Sequence, residues 1–565
     1  MTSLDNGHGA RGSRDQRPAL IVLALLLFGA AALYSWNADT LTAFIGYDAK
    51  GHTQYIATVI DEGRLPQPFE GWSSFHPPLY YLLGGLVSWP GRPVWNPLAL
   101  RGISVLSILV AGFVSFGLVL RLGSGLPVAA VATALVLFVP CSLLAATSVG
   151  NEALGAGLAA LTLVAVLKLQ EDVRSLRTAA LVGLLGGLAL ANKFTGIYVA
   201  VACVVPFIRL RYDRRMLGAL ALCAFLAASI AGPVYLRNIQ LTGSPIPMTR
   251  ERAPVKTAES KYVIRQRRVT DYLWINPAVL LRPSIHHVKG QPANKNNRNP
   301  AMTNVWGLTY ASAWYDSFGH RTQVQFHRDG FYAGPLLTLL GIVPTTLVLI
   351  GFIAALLALL RRRSGRHELP LVLMSLVGLG SFAAFTWRAP TLTAVKASYL
   401  LPLLVPAAVF FARGALLLGR RLRVVALVIS AAAALAGAAI FTNGLVFPFE
   451  TLEYEVQSRS GDAPGLAIVE ETLRRSAHGR WAKVERPLIV QGGRIVWRLV
   501  AHEFPDANET ATAAWCLYVA DLMQLQLPER TWLVLIGQNG RIIRSCNERN
   551  WRSIQHPFLK AGARR

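Results

Sequence analysis

The chain has 565 residues, of which 53% are hydrophobic and 15% charged, with a mean hydropathy of +0.41. A typical globular protein carries about 25% charged residues, so a purely soluble chain of three or four domains is excluded. Lys and Arg number 56 against 30 Asp and Glu, a net charge of +26. In a soluble protein that excess would point to nucleic acid, but here the cations must first be sorted by membrane side, and no nucleic-acid partner is expected.

An apolar run of about 20 residues crosses the hydrocarbon core as a helix, because no other open structure satisfies its backbone there. Eleven such runs are legible, at 18–38, 99–120, 127–147, 152–167, 178–192, 194–208, 217–236, 335–360, 369–387, 398–417 and 424–447. The first follows a tail, residues 1–17, with Arg11, Arg14 and Arg17; it reads as a signal anchor, since its apolar run exceeds that of a cleaved signal peptide. A shorter piece, Pro77 to Trp89, reads as a helix lying at or dipping into the interface.

Orientation follows the short loops. With a cytoplasmic N-terminus every second loop is basic: Lys168, Arg174 and Arg177; Arg209, Arg211, Arg214 and Arg215; Arg361, Arg362, Arg363 and Arg366; Arg420, Arg421 and Arg423. The expected localisation is therefore multi-pass in the plasma (inner) membrane, with outer loops at 39–98 and 237–334 and an extracytoplasmic C-terminal domain at 448–565. Within that domain Trp532 to Ile536 and Arg541 to Arg544, joined through Asn539-Gly540, predict a β-hairpin, so the fold class is an all-α polytopic membrane domain (18–447) with a small α/β domain after it. Cys141, Cys203 and Cys223 read as small apolar helix residues, while Cys516 and Cys546 could pair in an oxidising compartment.

A transporter or pump normally places ionisable residues at mid-helix, and here the helix middles are clean. The polar residues of interest fall at outer helix ends and in the outer loops: Asp48, His52, Tyr55, Glu70 and His76; Asn151 and Glu152; Lys193; Arg237 and Asn238; Asp316; Arg388 and Lys396. Folded together they would make an outer cavity with at least two carboxylates and several cations. A cavity of that kind at the outer membrane surface is a place for chemistry on a lipid headgroup. The basic run Arg250, Arg252, Lys256, Lys261, Arg265, Arg267 and Arg268 could gather lipid phosphates.

The order Gly46-Tyr47-Asp48, His52, Tyr55, then Phe75-His76-Pro77-Pro78-Leu79-Tyr80, Asn151-Glu152, Ala191-Asn192-Lys193, Tyr235-Leu236-Arg237-Asn238, Trp314-Tyr315-Asp316 and Lys396-Ala397-Ser398-Tyr399 resembles the GT-C glycosyltransferases, in the branch of the protein O-mannosyltransferases and lipid A aminoarabinose transferases. The resemblance covers about residues 18–447. It implies an inverting transfer of sugar from a polyprenyl-phosphate donor to a lipid, glycan or protein acceptor on the outer face. It also implies a general base at Asp48, a second acidic position at Glu152, and substrate contacts at His52, Tyr55, His76, Lys193, Arg237, Asp316, Arg388, Lys396 and Tyr399. Ala49 stands where that family often has Glu, which weakens any metal site there; a divalent ion is left open as cofactor, and no other cofactor is implied.

Plainer roles compete for each residue. Asp48 could cap an interfacial helix, and Glu152 could complement a helix dipole. Lys193, Arg237 and Lys396 could snorkel, Arg388 could anchor the interface, and Asp316 could turn the chain. His52 could hydrogen-bond within its helix face, and His76 could be a rigid corner before two prolines. At the level of function the rivals are a transporter or flippase of lipid-linked saccharides and a non-catalytic membrane scaffold.

Overall fold

A computed structural model describes residues 12–40, 46–71, 73–88, 97–208, 213–247, 267–285, 304–318, 330–361 and 367–442, together with the strand residues 483–490, 494–501, 531–537 and 542–545. Contacts divide the chain into two compact units, one of residues 1–35, 46–319 and 331–442, the other of residues 36–45, 320–330 and 443–565.

The first unit is helical. In chain order its elements are α1 (Gly12–Thr40, whose end belongs to the second unit), α2 (Ala49–Asp61), α3 (Leu79–Ser88), α4 (Pro97–Arg121), α5 (Leu126–Phe138), α6 (Pro140–Thr147), α7 (Glu152–Glu171), α8 (Leu176–Asn192) and α9 (Ile197–Val204). After these come α10 (Arg214–Thr242), α11 (Thr270–Leu273), α12 (Val305–Trp314), α13 (Gly330–Leu340), α14 (Ile342–Leu360), α15 (Glu368–Arg388), α16 (Leu404–Leu417) and α17 (Arg420–Ile440). Short 3-10 turns at Phe194–Gly196, Leu392–Ala394 and Ala397–Leu403 lead into or connect the longer helices.

Among the described residues eight spans are long and apolar enough to cross a membrane, and α5 with α6, bent by 51° at Pro140, adds a ninth if the pair is one span. The other two expected runs fall on shorter apolar helices, Leu176–Asn192 and Phe194–Phe207. The count of eleven therefore rests on these two and on the bent pair. The interfacial piece expected from Pro77 is α3, ten residues long.

Local chemistry sets the boundaries. Ser175 and Asp213 accept hydrogen bonds from Thr178 N and Met216 N and so cap α8 and α10, while Gly243 closes α10 in the left-handed conformation. One apolar core gathers residues of α4, α5, α7, α8, α9, α15 and α16. With hydrocarbon on the outside, helices associate by close packing rather than by hydrophobic exclusion, so small residues sit where backbones touch. In α14 and α16 this is extreme: a Cβ on Gly351 would overlap the Phe410 carbonyl, and one on Gly414 the Leu347 carbonyl.

Charges sort to the two ends of the bundle. Arg174 with Asp213 (2.5 Å) and Arg413 with Glu368 pair at the end where α7, α10, α15 and α16 carry their basic loops. At the other end a smaller apolar cluster joins Tyr47 to Val279, Ile285, Val305, Leu308, Ala311, Phe318, Phe382, Leu392 and Val395, so parts of both large loops pack over the helix ends.

In the second unit the described strands are β1 (Lys483–Val490), β2 (Arg494–Ala501), β3 (Thr531–Gly537) and β4 (Ile542–Ser545), in the spatial order β1-β2-β3-β4. β3 pairs antiparallel with β4, as the hairpin pattern predicts, and β2 runs parallel to β3. Cys516, Cys546 and most of the basic run at 250–268 lie outside the described residues.

The α14–α16 contact yields a first prediction. Gly414→Val should destabilise the helical unit by about 1–3 kcal/mol or more, read as a lower melting temperature in detergent, whereas Gly419→Val, where a Cβ meets nothing within 4 Å, should not.

Candidate functional site

The chain reaches the site through a strained turn. Gly46 adopts φ 132°, and a Cβ there would overlap the Ser148 side chain, so only glycine admits this approach of the first loop to the residues before α7. Two residues on, Asp48 takes the left-handed region at φ 56°, ψ 15°, immediately before α2. Its side chain makes no cap hydrogen bond to that helix, so the capping role is set aside. The carboxylate instead accepts at Oδ2 from Lys396 Nζ at 2.8 Å, across 348 positions of sequence. Non-glycine residues in this backbone region cost about 1–3 kcal/mol and cluster where the surrounding structure holds them for function.

A second pair lies beside the first. Glu152, the first residue of α7, accepts at Oε1 from Lys193 Nζ at 2.6 Å, and both side chains are only 6% exposed. Lys193 follows the last residue of α8, and reciprocal bonds pin that end to α7: Asn192 Nδ2 donates to Asn151 O at 2.9 Å and Asn151 Nδ2 to Asn192 O at 3.3 Å. One ring joins the two pairs, with Lys193 Nζ 5.1 Å and Lys396 Nζ 6.0 Å from the centre of Tyr399, while Lys396 also stands 5.0 Å from the Tyr47 ring. Of the four charged side chains Asp48 alone is substantially accessible, at 24% against 5–6% for the rest.

Aromatic and imidazole rings form the adjoining wall. Tyr55 stacks on Tyr81 with ring centres 3.7 Å apart, and the Tyr81 hydroxyl meets His52 Nδ1 at 2.7 Å. His52 in turn stacks at 5.8 Å on His76, which lies 6.4 Å from Phe194 next to Lys193. Burial holds both histidines below their ordinary pKa, the nearby Lys193 adding to the effect on His76 and Glu152 opposing it at His52. Neighbouring Tyr80 accepts from Gly150 N at 3.1 Å, fixing the turn before Glu152.

The other expected residues are placed as follows. Asp316 is fully buried after α12, and its charge helps to raise the pKa of the Tyr47 phenol behind the burial that dominates. Arg237 donates to Pro66 O at 2.6 Å, tying α10 to the first loop near Tyr55. Glu70 is held by Arg64 at 2.5 and 2.8 Å on the surface, which lowers its pKa to about 2. Arg388 is exposed at the end of α15 rather than buried with the pairs. Arg267 is buried and donates to Thr391 O at 3.3 Å, five residues from Lys396. Tyr80 stood only at the end of the Phe75–Tyr80 string of the resemblance, and Tyr81 and the buried Arg101 had no sequence signal beyond their place in or near an apolar helix.

A divalent ion does not fit this donor set. No group of three His, Cys, Asp or Glu side chains converges among the described residues. Asp48 and Glu152 each already carry a lysine, and Ala49 supplies no oxygen.

No protein-family model matches the chain, and no curated relative matches it. Three solved structures are similar to it. An oligosaccharyltransferase of Archaeoglobus fulgidus, in complex with Zn and sulfate, is 15% identical at a TM-score of 0.41; the match covers 81% of this chain but 56% of that one, so this chain spans about half its length. ArnT of Cupriavidus metallidurans in the apo state is 13% identical over 92% of this chain and 93% of that one, at a TM-score of 0.44. ArnT bound to undecaprenyl phosphate is 13% identical over 94% of each chain, at 0.32. With TM-scores below 0.5 these likenesses carry no assignment, and the reading of the site rests on its own geometry.

The histidine environment gives a pH prediction. Since both folded-state pKa values lie below the ordinary 6.5, the unfolded chain binds protons that the folded one does not as pH falls through 6.5, and stability must drop there. Melting temperature should fall between pH 7.5 and 5.5, and the double variant His52→Gln/His76→Gln should flatten that slope. An unchanged slope would show that neither imidazole is buried in its neutral form.

Proposed function

We propose that this chain is a multi-pass membrane glycosyltransferase that takes a sugar from a polyprenyl-phosphate donor and passes it to a hydroxyl of a lipid, glycan or protein on the outer face of the membrane. The supporting observation is the pair of lysine–carboxylate contacts on either side of Tyr399, at one end of an apolar helical bundle. Buried lysines held over an aromatic ring, with an accessible carboxylate alongside, supply a cationic seat for a phosphate and a base for a hydroxyl within one small space.

The acceptor oxygen forms its bond to the anomeric carbon as the bond from that carbon to the phosphate oxygen breaks, with inversion. The electron pair of the broken bond stays on the lipid phosphate, and the acceptor proton passes to the Asp48 carboxylate, which Lys396 holds at Oδ2. Lys193 and Lys396 offset the charge that grows on the phosphate, and in a site shielded from water such fixed charges act strongly. A carboxylate in an ion pair is a weak base. As Lys396 turns part of its charge toward an arriving phosphate, Asp48 gains basicity, so the donor prepares the base. Positive-inside sorting of the loops supports a site on the outer face, a cytoplasmic N-terminal tail and extracytoplasmic residues 448–565.

Asp48→Asn keeps the size and loses the base. Transfer of label from a polyprenyl-phosphate sugar to envelope acceptors should fall by about 10²–10⁴-fold, while the variant still binds undecaprenyl phosphate. Full transfer by that variant would show that Asp48 is not the base.

A further inference from the structure

The phosphate clamp raises an electrostatic problem that His52 is placed to solve. If Lys193 turns from Glu152 to a donor phosphate, it leaves a carboxylate that is 6% exposed. A buried carboxylate without a partner is strongly unfavourable, so phosphate capture by Lys193 needs a second donor for Glu152.

His52 is that donor in position and in protonation. Gly150 stands between the two side chains: a Cβ there would lie 2.7 Å from Glu152 Oε2, 3.4 Å from His52 Cδ2 and 3.6 Å from His52 Nε2. The imidazole is 1% exposed, and its Nε2 is buried with no hydrogen-bond partner, while Nδ1 is occupied by the Tyr81 hydroxyl at 2.7 Å. Burial keeps the ring neutral, so one nitrogen carries the proton. A Tyr81 hydroxyl that donates to Nδ1 puts the proton on Nε2; the opposite tautomer would leave an imidazole lone pair near the Glu152 charge and raise the energy. Native proteins rarely leave a buried donor unmade without a reason. Here the unpartnered Nε2 and Glu152 Oε2, the carboxylate oxygen to which Lys193 is not bonded, both lie within 3.6 Å of one point beside Gly150.

We propose that His52 is a positioning residue whose Nε2–H takes over Glu152 when Lys193 moves to the donor phosphate, with Tyr81 fixing its tautomer. Tyr81–His52–Glu152–Lys193 is then a relay that makes release of the lysine inexpensive, and Gly150 keeps its two middle members free to close. This role rests on the polyprenyl-phosphate reading of the site and refines it, because it assigns His52 to the protein's own carboxylate rather than to the substrate.

The test measures binding of undecaprenyl phosphate to the purified full-length chain in detergent, with wild type, Lys193→Gln, His52→Gln and His52→Asn compared. Both histidine variants keep a polar amide in the pocket, but only glutamine reaches the place of Nε2. We expect Lys193→Gln and His52→Asn to weaken binding by about tenfold, His52→Gln to bind within about twofold of wild type, and Tyr81→Phe to fall between. If Lys193→Gln weakens binding and His52→Asn does not, or if His52→Gln fails as His52→Asn does, the relay is overturned while the phosphate seat stands. If wild type and Lys193→Gln bind alike, the phosphate seat is overturned and the relay with it.

Discussion

The contact between Asp48 and Lys396 is the constraint on which the rest of the site depends. A lysine that is 5% exposed at an apolar helix end is tolerated only with a counter-charge, and the chain supplies that charge from a loop 348 positions away. To bring it there the backbone turns through Gly46 against Ser148 and holds Asp48 in the left-handed region. The first large loop is thereby locked to the segment before α16, and the Glu152–Lys193 pair is drawn to the same ring of Tyr399.

Two carboxylates and two lysines leave the cluster close to neutral, which is what an apolar bundle tolerates. On the proposed function a phosphate would change that balance by competing with both carboxylates for both cations. The accessible carboxylate, Asp48, would then be offered to an acceptor, while the buried one, Glu152, would need a replacement partner. On that reading the pairs are a resting arrangement that the substrate itself unlocks. Two adjacent tyrosines of α3 support it from below: Tyr80 holds the Gly150 amide and Tyr81 holds His52.

Much of this was legible in the sequence, for identifiable reasons. Hydrocarbon demands long uncharged runs, so the helices announced themselves, and the shortest runs, 178–192 and 194–208, are also the ones that fall short of a span by length. The hairpin of β3 and β4 followed from alternation around an Asn-Gly pair. Asp48, His52, Tyr55, His76, Glu152, Lys193 and Lys396 stand out as charged or polar residues at one set of helix ends, and Tyr399 through the resemblance alone; the structure brings them together. Their pairing was not legible, since no periodicity relates position 48 to 396 or 152 to 193. Tyr80, Tyr81 and Gly150 were missed as site-forming residues because hydroxyls inside an apolar stretch, and a glycine before a helix, look the same whether they shape a site or fill a core. Arg388 and Arg237 share the residue type of the clamp, yet one is exposed and the other is spent on the Pro66 carbonyl; side-chain identity alone does not separate these cases.

The central claim is that Asp48 and Lys396 work as one unit in transfer, which a double-mutant cycle measures directly. Rates of sugar transfer from a polyprenyl-phosphate donor would be compared for wild type, Asp48→Asn, Lys396→Gln and the combined variant. Coupled groups should give a combined loss far smaller than the product of the two single losses. Losses that multiply would contradict the account, because the carboxylate and the lysine would then be acting independently.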